Sequence, residues 1–322
     1  MHSDVENSTL EREFHVLAFT KYPESKIIIL IVVSLTYLLS LVGNLTIILL
    51  VCLESRLHTP MYFFLCNLSV QDIMYVSTVE PKLFNITLTG NTAILFPHCI
   101  IQIFTFILCI DAEFFLLTSM AYDRYVAICI ALRYPLIMNK KVCLVLAANC
   151  WIISALNSLM YSLVMSKVPF CKSKEINHFF CEVETMLQLS CKDTKGIQTL
   201  IFVEGLLIGV LPFVLILTSY VLIIFNVLKI RTKAGRLKSF SSCSSHLTIV
   251  ILLYGTCLSS YVKTESKNSK EQDKLISMLY IILIPILNPL VYSLRNKEVI
   301  KALTKIMWGK FKKPHSFNTQ RS

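Results

Sequence analysis

Charge is scarce in this 322-residue chain. Only 16% of its residues are Asp, Glu, Lys or Arg, where a soluble globule carries about a quarter. With 55% hydrophobic residues and a mean hydropathy of +0.64, that scarcity excludes a soluble domain and points to several membrane spans. Other absences narrow the function. The polar first 25 residues lack the basic start, short apolar core and small-residue cleavage site of a signal peptide. The first apolar run, from 26 to 53, therefore serves as span and targeting signal together. No internal repeat, matching broken halves or row of charges along a pore is found, which argues against a transporter or channel. No nucleophile–base–orienter set or complete metal site appears, which argues against an enzyme. Cys243 and His246 share a helical face but are two ligands without a third.

Apolar runs long enough to cross a bilayer, about 20 residues each, lie near 26–53, 58–86, 97–129, 141–164, 197–228, 239–262 and 273–294. The formal net charge of +11 does not indicate nucleic acid, because the bases fall in short segments between these runs. The segment KIRTKAGRLK, from Lys229 to Lys238, holds five bases and no acid, and the tail after Tyr292 is also basic. These sides are cytoplasmic and the N-terminus is outside. The expected organisation is an extracellular segment over 1–25, a seven-helix unit over 26–294 and a cytoplasmic stretch over 295–322. That last stretch starts as a basic amphipathic helix on the inner leaflet and ends in a disordered tail. Asn7-Ser8-Thr9 is then a glycosylation sequon on the outer side.

Four of the twelve cysteines, Cys99, Cys171, Cys181 and Cys191, fall at or beyond the outer face, where oxidation is allowed. Four cysteines permit three pairings, and spacing does not choose among them. The other eight read as small buried hydrophobes.

The third run ends in MAYDRYVAIC, which places Asp123 and Arg124 at a cytoplasmic helix end, where a paired charge costs less than one at the bilayer centre. The seventh run holds Asn288-Pro289-Leu290-Val291-Tyr292. Pro289 removes a backbone donor and kinks the helix, and Asn288 can satisfy the freed carbonyl or reach a neighbouring helix. Pro212, with Ser219 and Tyr220, gives run five a second kink and a second tyrosine near the cytoplasm.

These motifs, with Gly43-Asn44, LHTPMYFFLCNLS before Asp72, KSFSSCSSHL from Lys238, and PILNPLVYSLRNKEV, resemble those of odorant receptors, a branch of the rhodopsin-like G-protein-coupled receptors. The likeness covers about residues 25 to 305. It departs mildly at Arg133, Ser239 and Ser242. The resemblance implies an all-α seven-transmembrane bundle in the plasma membrane, with disulfides Cys99–Cys181 and Cys171–Cys191. It implies a cytoplasmic switch of Asp123, Arg124 and Tyr125, toward which Tyr220 and Tyr292 swing, and a basic inner loop reaching Lys238 that helps bind a stimulatory G protein. Its partners would be a small odorant, that G protein and membrane lipid, not nucleic acid. Tyr254 matches the tyrosine such receptors carry at the pocket base.

The outer half of the bundle is where a ligand would sit. Phe106, Ile107, Ile110, Asp111 and Phe114 share a face of helix three by i, i+3, i+4 spacing. Glu204 and Ile208 are one turn apart on helix five. Tyr254, Cys257, Leu258 and Tyr261 share a face of helix six. Such stripes also serve plain helix packing; the family pattern makes them a pocket for a small, mostly apolar ligand. Four acids lie within spans. Asp72 and Glu113 match acids usual in the family and are expected near each other, around a sodium ion or sharing a proton; no other cofactor is expected. Asp111 and Glu204 are less routine and are expected to face each other across the pocket. They bind either an amine-like ligand or one another.

Overall fold

The computed structural model describes residues 13–19, 26–261, 269–294 and 297–309. Every apolar run is a helix: α1 (Lys26–Leu53), α2 (Pro60–Thr89), α3 (Phe96–Cys129), α4 (Lys140–Ser166), α5 (Lys195–Leu228), α6 (Lys233–Tyr261) and α7 (Ser269–Leu294), followed by a shorter α8 (Lys297–Gly309). The 28 residues of α1 extend about 42 Å at 1.5 Å per residue, enough to cross about 30 Å of hydrocarbon. By length and composition alone α1, α3, α4 and α5 qualify as spans. The other three carry polar residues that the bundle buries.

Local sequence sets the ends. Pro60 opens α2, where a missing N–H is harmless, and Gly90 closes it at φ 76°, its N–H bonding back to Ile86. Asn139 caps α4 by accepting the Val142 N–H at 3.0 Å. Two boundaries differ from the sequence reading. α6 starts at Lys233 rather than 239, and α7 at Ser269 rather than 273. Hydropathy marks where the lipid begins, whereas a helix extends into water once it is nucleated.

α3 runs through the middle against α2, α4, α5 and α6. α7 closes the ring against α1, α2 and α6, and α8 turns back under α1. Leucines and isoleucines such as Ile27, Leu38, Leu49 and Leu217 point outward, while Asn44, Asp72, Glu113 and Asn288 are buried inside. Lipid is as apolar as leucine, so helix contacts rest on close packing and polar links rather than on hydrophobic burial.

At the outer end β1 (Glu13–Val16) lies between β2 (Ala93–Leu95), antiparallel, and β3 (Glu175–Ile176), parallel. The sequence reading took this stretch as part of a polar extracellular segment; in the structure Phe14 and Val16 are buried. Cys99 is bonded to Cys181 and Cys171 to Cys191, with Cα separations of 5.4 and 5.7 Å. The first bond pins the outer loop to the top of α3.

Candidate ligand site and cytoplasmic switch

The bundle centre is organised by Pro289. Its missing N–H orphans the carbonyl of Pro285, one turn earlier. Asn44 of α1 donates to that oxygen at 2.9 Å, with Ser40 behind it at 3.4 Å. A Cβ on Gly43 would sit 2.9 Å from Pro289 Cγ, so only glycine lets α1 approach this closely. Asn288 does the other of the two tasks foreseen for it. It donates to both Asp72 oxygens, at 3.1 and 2.9 Å. Glu113 lies within electrostatic reach of Asp72, and its Oε1 is buried without a hydrogen-bond partner among the described residues. Two acids with spare acceptor capacity suit either a cation or a shared proton.

At the cytoplasmic end Arg124 donates through Nε and Nη2 to Asp123 Oδ2, the Nε bond being 2.9 Å. The other Asp123 oxygen accepts the Tyr134 hydroxyl at 2.7 Å. Tyr134 stands on the inner turn between α3 and α4, and burial, reinforced by Asp123, pushes its phenol above the usual range. Next door, His246 Nε2 lies 2.9 Å from the Leu117 carbonyl and Nδ1 2.7 Å from the Tyr220 hydroxyl. A carbonyl only accepts, so in the neutral ring Nε2 carries the proton and Nδ1 accepts from Tyr220. The imidazole thus ties α6 to α3 and α5, and the metal-ligand spacing with Cys243 has this packing role. Tyr125 is half-buried against the same core. Tyr292 is buried, and its hydroxyl lacks a hydrogen-bond partner among the described residues.

In the outer half Phe106 packs between Tyr75 and the loop residue Phe180, at ring distances of 5.5 and 4.6 Å. Tyr254 sits between Phe114 and Phe213, at 5.3 and 4.7 Å. Its hydroxyl donates to the Gly209 carbonyl at 3.2 Å. That carbonyl belongs to a π-helical segment, Gly205–Val210, which interrupts α5 just after Glu204. Such segments loosen the backbone ladder and cluster at functional sites. Ile107, Ile110, Ile208 and Cys257 are half-buried around this aromatic set.

Asp111 and Glu204 lie within electrostatic reach of each other. Asn157 of α4 donates to Asp111 at 2.8 Å, and Asn157 and Tyr161 lie within interaction reach of Glu204. The two acids thus belong to one polar cluster at the junction of α3, α4 and α5. Asn157 and Tyr161 escaped the sequence reading; the signal was a polar pair at i, i+4 beside the buried Ser154, Ser158 and Ser162 of α4. Glu80 is a fifth intramembrane acid. It is buried, and the Thr36 hydroxyl of α1 donates to it at 3.4 Å. Leu258 needs correction. At 65% exposure it lies on the lipid side with Ile251 (62%), because the inward face of α6 runs through Val250, Leu253 and Cys257. Asn7 and the side chains of Lys238 and Tyr261 lie outside the described residues.

Seven helices with a charged pair at the inner end of the third and a proline-broken seventh define a rhodopsin-like receptor. Comparison with known proteins narrows the class. The olfactory receptor family model matches residues 33–310. Human olfactory receptor 2T5 is 41% identical over 305 residues, covering 95% of this chain and 97% of that one. Human olfactory receptor 2L2 is 44% identical, covering 89% and 92%. The dog olfactory receptor-like protein OLF3 is 42% identical, covering 94% and 95%. The chain belongs to the olfactory receptor family: a multi-pass membrane receptor, not an enzyme.

Proposed function

We propose that this receptor binds a small, mostly apolar volatile in the outer half of the bundle and activates an olfactory stimulatory G protein, raising cyclic AMP. The supporting observation is the seat of Tyr254. It touches the aromatic set through its ring and the π segment of α5 through its hydroxyl. A ligand that displaces Phe114 pushes on this tyrosine, and α6 carries the push inward to His246 and then to Arg124. The pocket is assigned to Phe106, Ile107, Ile110, Ile208, Tyr254 and Cys257. Asp111 and Glu204 form its polar edge and select ligands with a hydrogen-bond donor. Asp72 and Glu113 hold a sodium ion or one proton between them in the resting state.

The test is cyclic AMP in cells expressing the chain with an olfactory stimulatory G protein, against volatile amines, acids, alcohols and aromatics. A response abolished by Arg124→Ala supports the reading. A response that persists in that variant refutes it.

A further inference from the structure

A groove of about 450 Å³ opens between the cytoplasmic halves of α5 and α6, away from the ligand region. Ile224 and Val227 form one wall, Leu237 and Phe240 the other, and Cys243 and Ser244 line it where larger residues would close it. Leu237 is 71% exposed, Phe240 44% and Ile224 40%, so the lining is open to the bilayer. Just below, the chain turns from α5 into α6 through Lys229, Arg231 and Lys233, all exposed, with no acid between 229 and 238. An apolar slot ending in a cluster of bases on the cytoplasmic side has the complementarity of an anionic lipid: an acyl chain above, a phosphate below. The cytoplasmic leaflet supplies such lipids, and each nearby base adds to the attraction.

We propose that this groove and the basic turn beneath it bind an anionic phospholipid of the inner leaflet. One acyl chain lies between α5 and α6, and the headgroup phosphate rests on Lys229, Arg231 and Lys233. Tyr220 also lines the groove and bonds His246, so an acyl chain packed there bears on the bridge between α5 and α6. Lipid occupancy thereby sets how readily these helices separate, whichever odorant is bound.

The experiment is native mass spectrometry of the full-length receptor released from bilayers of phosphatidylcholine containing phosphatidylinositol 4,5-bisphosphate. Wild type is expected to retain the anionic lipid in preference to phosphatidylcholine. K229Q/R231Q/K233Q is expected to lower retention at least about tenfold, on the attraction per base near a membrane surface. Ile224→Trp fills the slot from a half-exposed, lipid-facing position and leaves every charge in place; it is expected to lower retention comparably. Melting curves in phosphatidylcholine confirm that both variants fold. Undiminished retention in Ile224→Trp would overturn the proposal, since the lipid would then be held by diffuse surface charge. Equal retention of phosphatidylcholine, or a lipid-free groove covered in a receptor dimer, would overturn it as well.

Discussion

Asn44 and Pro285 are 241 residues apart in the chain and 2.9 Å apart in space, joined by a side-chain amide and the carbonyl that Pro289 leaves unpaired. This bond, with the Gly43–Pro289 approach beside it, fastens α1 to the kink of α7. Asn44→Ala leaves that carbonyl in a low-dielectric interior with the longer Ser40 bond at 3.4 Å in place of two donors. It is expected to destabilise the receptor by about 1 kcal/mol, seen as a lower Tm in detergent. Gly43→Ala should be worse, because the new methyl group must push α7 aside.

Tyr134 holds the free side of Asp123. Tyr134→Phe removes that bond and leaves the ring. Ligand-free cyclic AMP is expected to rise severalfold at equal surface expression, because Asp123 then restrains Arg124 less firmly. Unchanged basal signalling would show that the inner turn has no part in the restraint.

Asp111→Asn and Glu204→Gln keep the size of the polar cluster and remove its charge. Each is expected to reduce an amine response at least tenfold, with responses to aromatics that lack a hydrogen-bond donor changed far less. Dose–response curves across the four ligand classes decide this. A uniform loss would assign the cluster to helix packing.

The two disulfides close loops of very different length, with separations of 82 and 20 residues. On loop-closure entropy the longer stabilises by about 4–5 kcal/mol and the shorter by about 3 kcal/mol. Cys99→Ser is therefore expected to abolish surface expression, and Cys191→Ser to reduce it. Flow cytometry on an N-terminal tag measures both.

Glu54, just after α1, accepts from Lys305 of α8 at 2.7 Å. That hydrogen bond, helped by the charges of Lys305 and Arg56 and opposed by burial, holds the carboxyl below its ordinary value of 4.5. A depressed acid contributes stability that is present above the ordinary value and lost as pH falls through the folded one. The Tm gap between wild type and Glu54→Gln should therefore be constant from pH 7 to about 5 and close below about 4.5. A gap that already narrows near neutrality would mean the pair does not hold α8.

The sequence makes the frame of this protein legible because lipid imposes one requirement on every span: an apolar run of fixed length. Orientation followed from KIRTKAGRLK for a similar reason. Tertiary partners are another matter. Asn288 had two plausible tasks, and only the fold shows that Asn44, from the far end of the chain, had taken the first. The face of α6 was misjudged at Leu258 because spacing alone fixes a stripe to within about one residue in a turn. The β1 strand was illegible, since four residues carry no period and their partners lie in two separate loops. Asp111 and Glu204 were found as acids but not as neighbours of Asn157, because polar residues announce themselves while their hydrogen bonds do not.

The small sheet at the outer mouth has a consequence for what the receptor counts. β1 pairs with the strands of two outer loops, and the buried Lys274 of α7 donates to the Ala18 carbonyl at 3.2 Å, so this segment is fastened as a cover on the outer end of the bundle. On the proposed pocket, this cover predicts that an apolar ligand enters from the surrounding bilayer rather than from water. The concentration that matters is then the one dissolved in lipid. Along a homologous series of agonists, potency should climb with membrane partitioning until the chain outgrows the pocket. A series ranked by aqueous concentration alone would show that the cover opens freely.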